Sequence, residues 1–175
     1  MPSIDPTSKS RPAAETAAYN LEQVLTMIEA VPEPASTLLA VAAFSGARRG
    51  ELRGMNWEDY RDGQLYVSRS IWNGKLTEPK SPKNRAPIPV IPRLAKRLEQ
   101  HRKRSGNPVS GPMFPNAAGN PVDPDSILRR VILPVLNVCV ICNKVESDHG
   151  REIHTYERNT SLLQWHGCSD TATSR

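Results

Sequence analysis

The chain has 175 residues, with 23 Lys plus Arg against 18 Asp plus Glu, a formal net charge of +5, and 38% hydrophobic residues. That length suits one domain of ordinary size. No apolar run approaches the roughly 20 residues a membrane-crossing helix needs, and the N-terminus lacks a basic-then-apolar leader, so the expectation is a cytoplasmic protein with no membrane partner. The basic excess favours a polyanionic partner without naming one.

In chain order, residues 1–15 are rich in Pro, Ser, Ala and charge without apolar periodicity, and are expected to form a flexible tail. Asn20 can cap a helix, with Gln23 reaching back from the third helical position and Leu21, Val24, Leu25 and Ile28 as its apolar stripe. Pro32 and Pro34 end it. A second helix from Ala35 through Phe44 is apolar on most of its surface and is the expected core helix. A Gly46-Ala47 corner then places Arg48, and Glu51 to Trp57 reads as a further short helix ended by Asp59 and an Asp62-Gly63 turn.

Leu65, Val67 and Ile71 read as one strand, with Asn73-Gly74 as the turn to Leu76. Ile88, Val90 and Ile91 follow as a strand that Pro87 and Pro89 confine to an edge. Leu94 and Leu98 mark an amphipathic helix. Its basic residues Lys96, Arg97, His101, Arg102, Lys103 and Arg104 are dense enough to meet a phosphate backbone, and equally suit a solvated helix face. A turn-rich loop (Gly106, Pro108, Gly111, Pro112, Pro115, Gly119) precedes a last helix marked by Ile127, Leu128, Val131, Ile132, Val135 and Leu136. The expected fold class is α+β, mainly helical, with one small antiparallel sheet.

The order Gly46-x-Arg48-x-x-Glu51-Leu52, then Trp57-x-Asp59, a hairpin, Pro79-Lys80-Ser81 and Arg85 before a proline-flanked strand resembles the catalytic domain of tyrosine recombinases, the phage-integrase family. The resemblance spans about Asn20 to Val135. It implies an integrase-like core, double-stranded DNA and other recombinase protomers as partners, and strand breakage and rejoining through a phosphotyrosyl link that requires no cofactor. Arg48 matches the family's first catalytic arginine, Glu51 the acidic residue that orients it, and Lys80 the lysine that protonates the leaving oxygen. Such chemistry suits these residue types, because a guanidinium grips two phosphate oxygens at once and a lysine among arginines is lowered in pKa. Lys83 and Arg85 read as DNA-backbone contacts or strand-capping charges. Trp57 and Trp72 can stack on bases or simply pack.

The family's nucleophilic tyrosine and its His-x-x-Arg box are not found where the resemblance needs them. Tyr156 comes too early, and His166-Gly167-Cys168-Ser169 puts Ser where Arg belongs. Tyr19, Tyr60 and Tyr66 fall in elements the family uses for packing. The Ser, Asp, Thr and Ala tail after Cys168 reads as a truncation or reading-frame change, which leaves the C-terminal part of the fold incomplete and some of its apolar surface uncovered. The expected division is a tail (1–15), a partial catalytic domain (16–136), a Cys/His-containing insertion or linker (137–167) and an aberrant tail (168–175).

Three cysteines, two of them in Cys139-x-x-Cys142, are no disulfide framework in a reducing compartment. With His149 and His154 the pair has the ligand types and spacing of a structural zinc knuckle. Against that, Cys139 among Val138, Val140 and Ile141 also reads as a buried residue at a helix end. Three functions stay open: a recombinase represented by an inactive fragment, a non-catalytic module that docks on DNA or on a recombinase, and a zinc-knuckle interaction module.

Overall fold

Asn20 opens the first helix, and the computed structural model, which describes residues 19–77, 87–149 and 154–155, begins just before it. The Asn20 side chain accepts from Gln23 N and the Gln23 side chain accepts from Asn20 N, both at 2.9 Å, so the reciprocal cap expected from sequence is formed at the start of α1 (Leu21–Ala30). Ile28 is buried, whereas Leu21 is exposed rather than part of the apolar stripe. Helix α2 (Ala35–Ser45) is buried on nearly every side, as its apolar composition requires. Glu33 caps it, accepting from Thr37 N at 3.2 Å and Thr37 Oγ1 at 2.6 Å. Gly46, at φ 65°, ends it in the left-handed conformation open to glycine.

The short helix α3 is Arg49–Gly54, followed by a single 3-10 turn at Trp57–Asp59 rather than one helix reaching Trp57. Strands β1 (Tyr60–Arg61) and β2 (Gln64–Leu65) are joined at Asp62 (φ 53°) and Gly63 (φ 67°), and β3 (Ser70–Trp72) and β4 (Lys75–Thr77) at Asn73 (φ 48°) and Gly74 (φ 72°). Paired positive φ values make both of them the hairpin turns their sequences favour. The single strand expected over Leu65 to Ile71 is, however, two strands in two sheets. Buried Asp59 accepts from Ser68 Oγ and pairs with Arg69 Nη2 at 3.2 Å, which turns the chain away after Val67. Instead of one sheet there is a three-stranded antiparallel sheet, order β1-β2-β5, and a separate hairpin β3-β4. Strand β5 (Ile88–Pro89) lies at an edge, where its prolines remove no inner ladder bond.

Helix α4 (Pro92–Arg104) buries Leu94, Leu98 and His101. The last helical stretch is interrupted: α5 (Pro124–Ile127), a π turn (Leu128–Ile132), then α6 (Leu133–Leu136). Leu133 N bonds to Leu128 O, five residues back, and the widening falls immediately before Pro134, whose ring cannot fit a regular α turn. The core gathers Leu38 and Val41 of α2, Trp57, Leu65, Leu98 and Ile132. The turn-rich loop also reaches it through Met113 and Phe114, held by Met113 N to Met55 O at 2.9 Å. No helix among the described residues is long and apolar enough to cross a membrane.

Candidate functional site

Two clusters carry chemistry, and the tighter one follows α6. Asn137, buried at the end of that helix, donates from its side chain to Glu146 Oε2 at 2.8 Å, and its carbonyl accepts from Glu146 N at 2.9 Å. Between these two residues the chain forms a narrow loop, with Val138 bridged to Val145 and Cys139 N bonded to Lys144 O at 2.9 Å. Asn143 takes φ 57° and returns its N–H to Cys139 O at 2.9 Å, which sets Cys139 and Cys142 on one turn. A 3-10 turn (Glu146–Asp148) then brings His149 back over that turn, with His154 at right angles to it.

The ligand atoms of Cys139, Cys142, His149 and His154 all lie within 4.8 Å of one another. His154 Nε2 is 3.2 Å from His149 Nε2 and 3.5 Å from Cys139 Sγ. Tetrahedral zinc, with Zn–N of about 2.05 Å and Zn–S of about 2.3 Å, sets N···N edges of about 3.3 Å and N···S edges of about 3.6 Å. Both observed separations match. His154 Nε2 thus faces both an imidazole nitrogen and a thiol sulfur, an arrangement that lone pairs converging on one cation would produce. Cys139 and His149 are buried, and Cys142 and His154 are partly exposed. The group is therefore a Cys2His2 cluster able to hold a metal ion, and the helix-end reading of Cys139 gives way to a ligand turn.

The second cluster is the Arg48 corner. Arg48 stands at the N-terminal cap of α3, its N–H bonded to Glu51 Oε2 at 2.8 Å and its Nη1 3.4 Å from Glu51 Oε1. Glu51 thus touches both ends of Arg48, while the Arg48 side chain stays 77% exposed. Neighbouring Arg49 pairs with Asp125 at 2.6 Å and lies over the Trp72 ring, 4.9 Å from its centroid. Lys80, Lys83 and Arg85 lie outside the described residues, as do Tyr156 and His166.

The basic residues of α4 do not form a uniform cationic face. Arg97 and Arg104 both reach Glu33 Oε1, at 2.8 and 3.1 Å, and Arg102 donates to Pro108 O at 2.8 Å. His101 is buried between Trp57 and Phe114, with its Nε2 2.9 Å from Met113 O. Burial pushes its pKa below the usual 6.5, only partly offset by the bond to Met113 O and by Glu33. Lys96 and Lys103 remain exposed. His101 and Arg104 do repeat the His-x-x-Arg spacing, a match the sequence reading passed over, yet here the histidine is core and the arginine serves Glu33. Trp57 is core as well, 1% exposed, whereas Trp72 is 56% exposed. Tyr66 donates to Gln64 and carries Arg61 over its ring; Tyr60 packs against the core.

Sequence reasoning also missed Asp123 and Asp125, which grip Arg53 and Arg49, and the Asn137 to Glu146 clamp. The available signal was acidic residues in the first turn of a helix that follows a basic one, but nothing local specifies their partners. Compared with known proteins, the chain matches no family model, no curated protein and no solved structure.

Proposed function

We propose that this chain is a DNA-docking module of recombinase type whose C-terminal part is organised by a structural zinc ion. The observation that carries the zinc assignment is the pair of separations, 3.2 Å between two imidazole nitrogens and 3.5 Å between nitrogen and sulfur, within a four-ligand group. Two thiolates would neutralise Zn2+ in a partly buried setting, and four protein ligands leave no open position for a reacting water, so the role is structural. Support for the DNA reading comes from the exposed Arg48 guanidinium held by Glu51, from exposed Arg129 and Arg130 on the π turn, and from the net charge of +5.

Within an assembled recombinase, Arg48 would contact the phosphate and Lys80 would donate a proton to the leaving oxygen. Strand cleavage by this chain alone is not part of the reading, because Tyr66 donates to Gln64, Tyr60 packs against the core, and the Arg48 guanidinium is paired with Glu51. Incubation with a nicked suicide DNA substrate, run on a denaturing gel, tests this, alongside salt-dependent binding of intact duplex. Binding that weakens steeply with salt and on Arg48→Ala, with no covalent adduct, is the expected result. A covalent adduct would overturn the non-catalytic reading, and absence of binding at low salt would overturn docking altogether.

A further inference from the structure

A tryptophan left 56% exposed gives up burial that a core position would supply, so its surroundings matter. Trp72 lies on β3, and the hairpin β3-β4 is seated on α3 at two glycines. A Cβ on Gly50 would collide with Ser70 Oγ, and one on Gly54 would lie 2.9 Å from Arg69 O. Close seating brings Trp72 under Arg49, whose guanidinium is 4.9 Å from the ring centroid and is itself held by Asp125 at 2.6 Å. The indole is thus backed by a fixed cation. Lys75, its register partner on β4, is exposed, as are Arg48, the residue before Arg49, and Arg129, four residues after Asp125. An aromatic surface rimmed by cations complements a ligand that is flat and apolar in its middle and anionic at its edge. A nucleotide base on its phosphate backbone has that composition.

We infer that Trp72, braced by Arg49, is a stacking platform for one unpaired base, giving this module a preference for DNA that is open or distorted over regular duplex. The inference rests on the DNA-docking reading and names what that surface selects. Arg48 and Lys75 hold the flanking phosphates, and Asp125 keeps Arg49 from swinging off the ring to take a phosphate itself. A base paired within intact duplex cannot present its face to the indole, so the selectivity follows from access rather than from hydrogen-bond readout.

The test uses the full chain with zinc and three fluorescent DNA probes: intact duplex, the same duplex with a single bulged 2-aminopurine, and a single strand carrying 2-aminopurine. Wild type should quench the 2-aminopurine and favour the bulged duplex by about tenfold, the order contributed by one base stacked on an aromatic ring. Trp72→Ala should abolish the quenching and collapse that preference, and Trp72→Phe should retain most of it. Amide exchange of α3 and β3-β4 in each variant checks that the hairpin stays seated. Equal preference and unchanged quenching in Trp72→Ala would overturn the inference while leaving docking intact. Failure of wild type to bind any of the three probes would instead remove the docking reading, and this inference with it.

Discussion

Asp125 Oδ2 lies 2.6 Å from Arg49 Nη1, joining residues 76 apart in sequence and tying the first turn of α5 to the first turn of α3. Arg53 and Asp123 repeat the arrangement more loosely at 3.9 Å. These two links brace the corner on which Arg48 stands. Both partners in the tighter pair are about one-third exposed, 34% and 29%, so solvent screening limits its worth. Asp125→Ala is expected to cost about 0.5–1 kcal/mol, seen as a fall of roughly 2–4 °C in Tm. The same variant should also red-shift Trp72 emission by loosening Arg49 over the ring and admitting water to the indole, and an unaltered Tm and spectrum would show that the pair does not brace the corner.

Zinc in the proposed Cys2His2 site predicts a larger effect. Purified chain should carry one zinc per molecule, and cobalt substitution should give the visible absorption of a tetrahedral thiolate site. Because structural zinc in small sites supplies apparent binding energies on the order of 10 kcal/mol, chelation or Cys142→Ser should unfold at least the segment from Val138 to His149. Metal analysis with circular dichroism before and after chelation checks this. A metal-free preparation that melts identically with and without added zinc would sink the assignment.

Close approach of the hairpin to α3 makes Gly54 intolerant of a side chain. A Cβ there meets Arg69 O at 2.9 Å and Arg69 Cγ at 3.0 Å, and the first of these is backbone that cannot rotate away. Gly54→Ala should therefore destabilise by about 1–3 kcal/mol despite alanine's better helix propensity. At Gly50 the obstacle is the Ser70 hydroxyl, so the additional change Ser70→Ala should recover part of the loss in Gly50→Ala. Chemical denaturation of the two single variants and the double variant measures this coupling.

His101 gives a pH dependence with a defined sign. Burial lowers its native pKa below 6.5, so as pH falls the unfolded chain takes up the proton first and the native state is penalised. Stability should decline as pH drops below about 6.5 and level off only beneath the native value, with Glu33 and Arg104 the charged neighbours that act on the ring in opposite directions. His101→Gln, which keeps a donor for Met113 O, should flatten this part of the profile. Comparing the two proteins at each pH in the same buffer isolates the contribution of His101. Parallel profiles would place the titration elsewhere.

Features governed by a few adjacent residues were legible in the chain itself. Asn20 and Gln23 cap one another across three positions, Asp62-Gly63 and Asn73-Gly74 form their turns because those residues accept positive φ, and prolines at 87 and 89 keep β5 at an edge. The four residues of the Cys/His cluster were also legible as a candidate metal set, since Cys-x-x-Cys needs only one turn and the two histidines follow within a short span. The π turn before Pro134 was not foreseen, and the last helix was expected to run unbroken from Ile127 to Leu136.

Composition could not say which charges stay available to a partner. Six basic residues around α4 looked alike in sequence, yet Glu33, more than 60 positions earlier, takes two of them, a carbonyl takes Arg102, and His101 goes into the core. Asp59 likewise divides what the alternation Leu65, Val67, Ile71 presents as one strand, and Gly50 and Gly54 acquire their meaning only when β3 lies against them. The sequence by itself determined caps and turns, because their energies depend on neighbours a few bonds away. Tertiary structure alone decided the pairing of Arg49 with Asp125, the burial of Trp57 and the exposure of Trp72, because each depends on which distant surface is brought into contact with it.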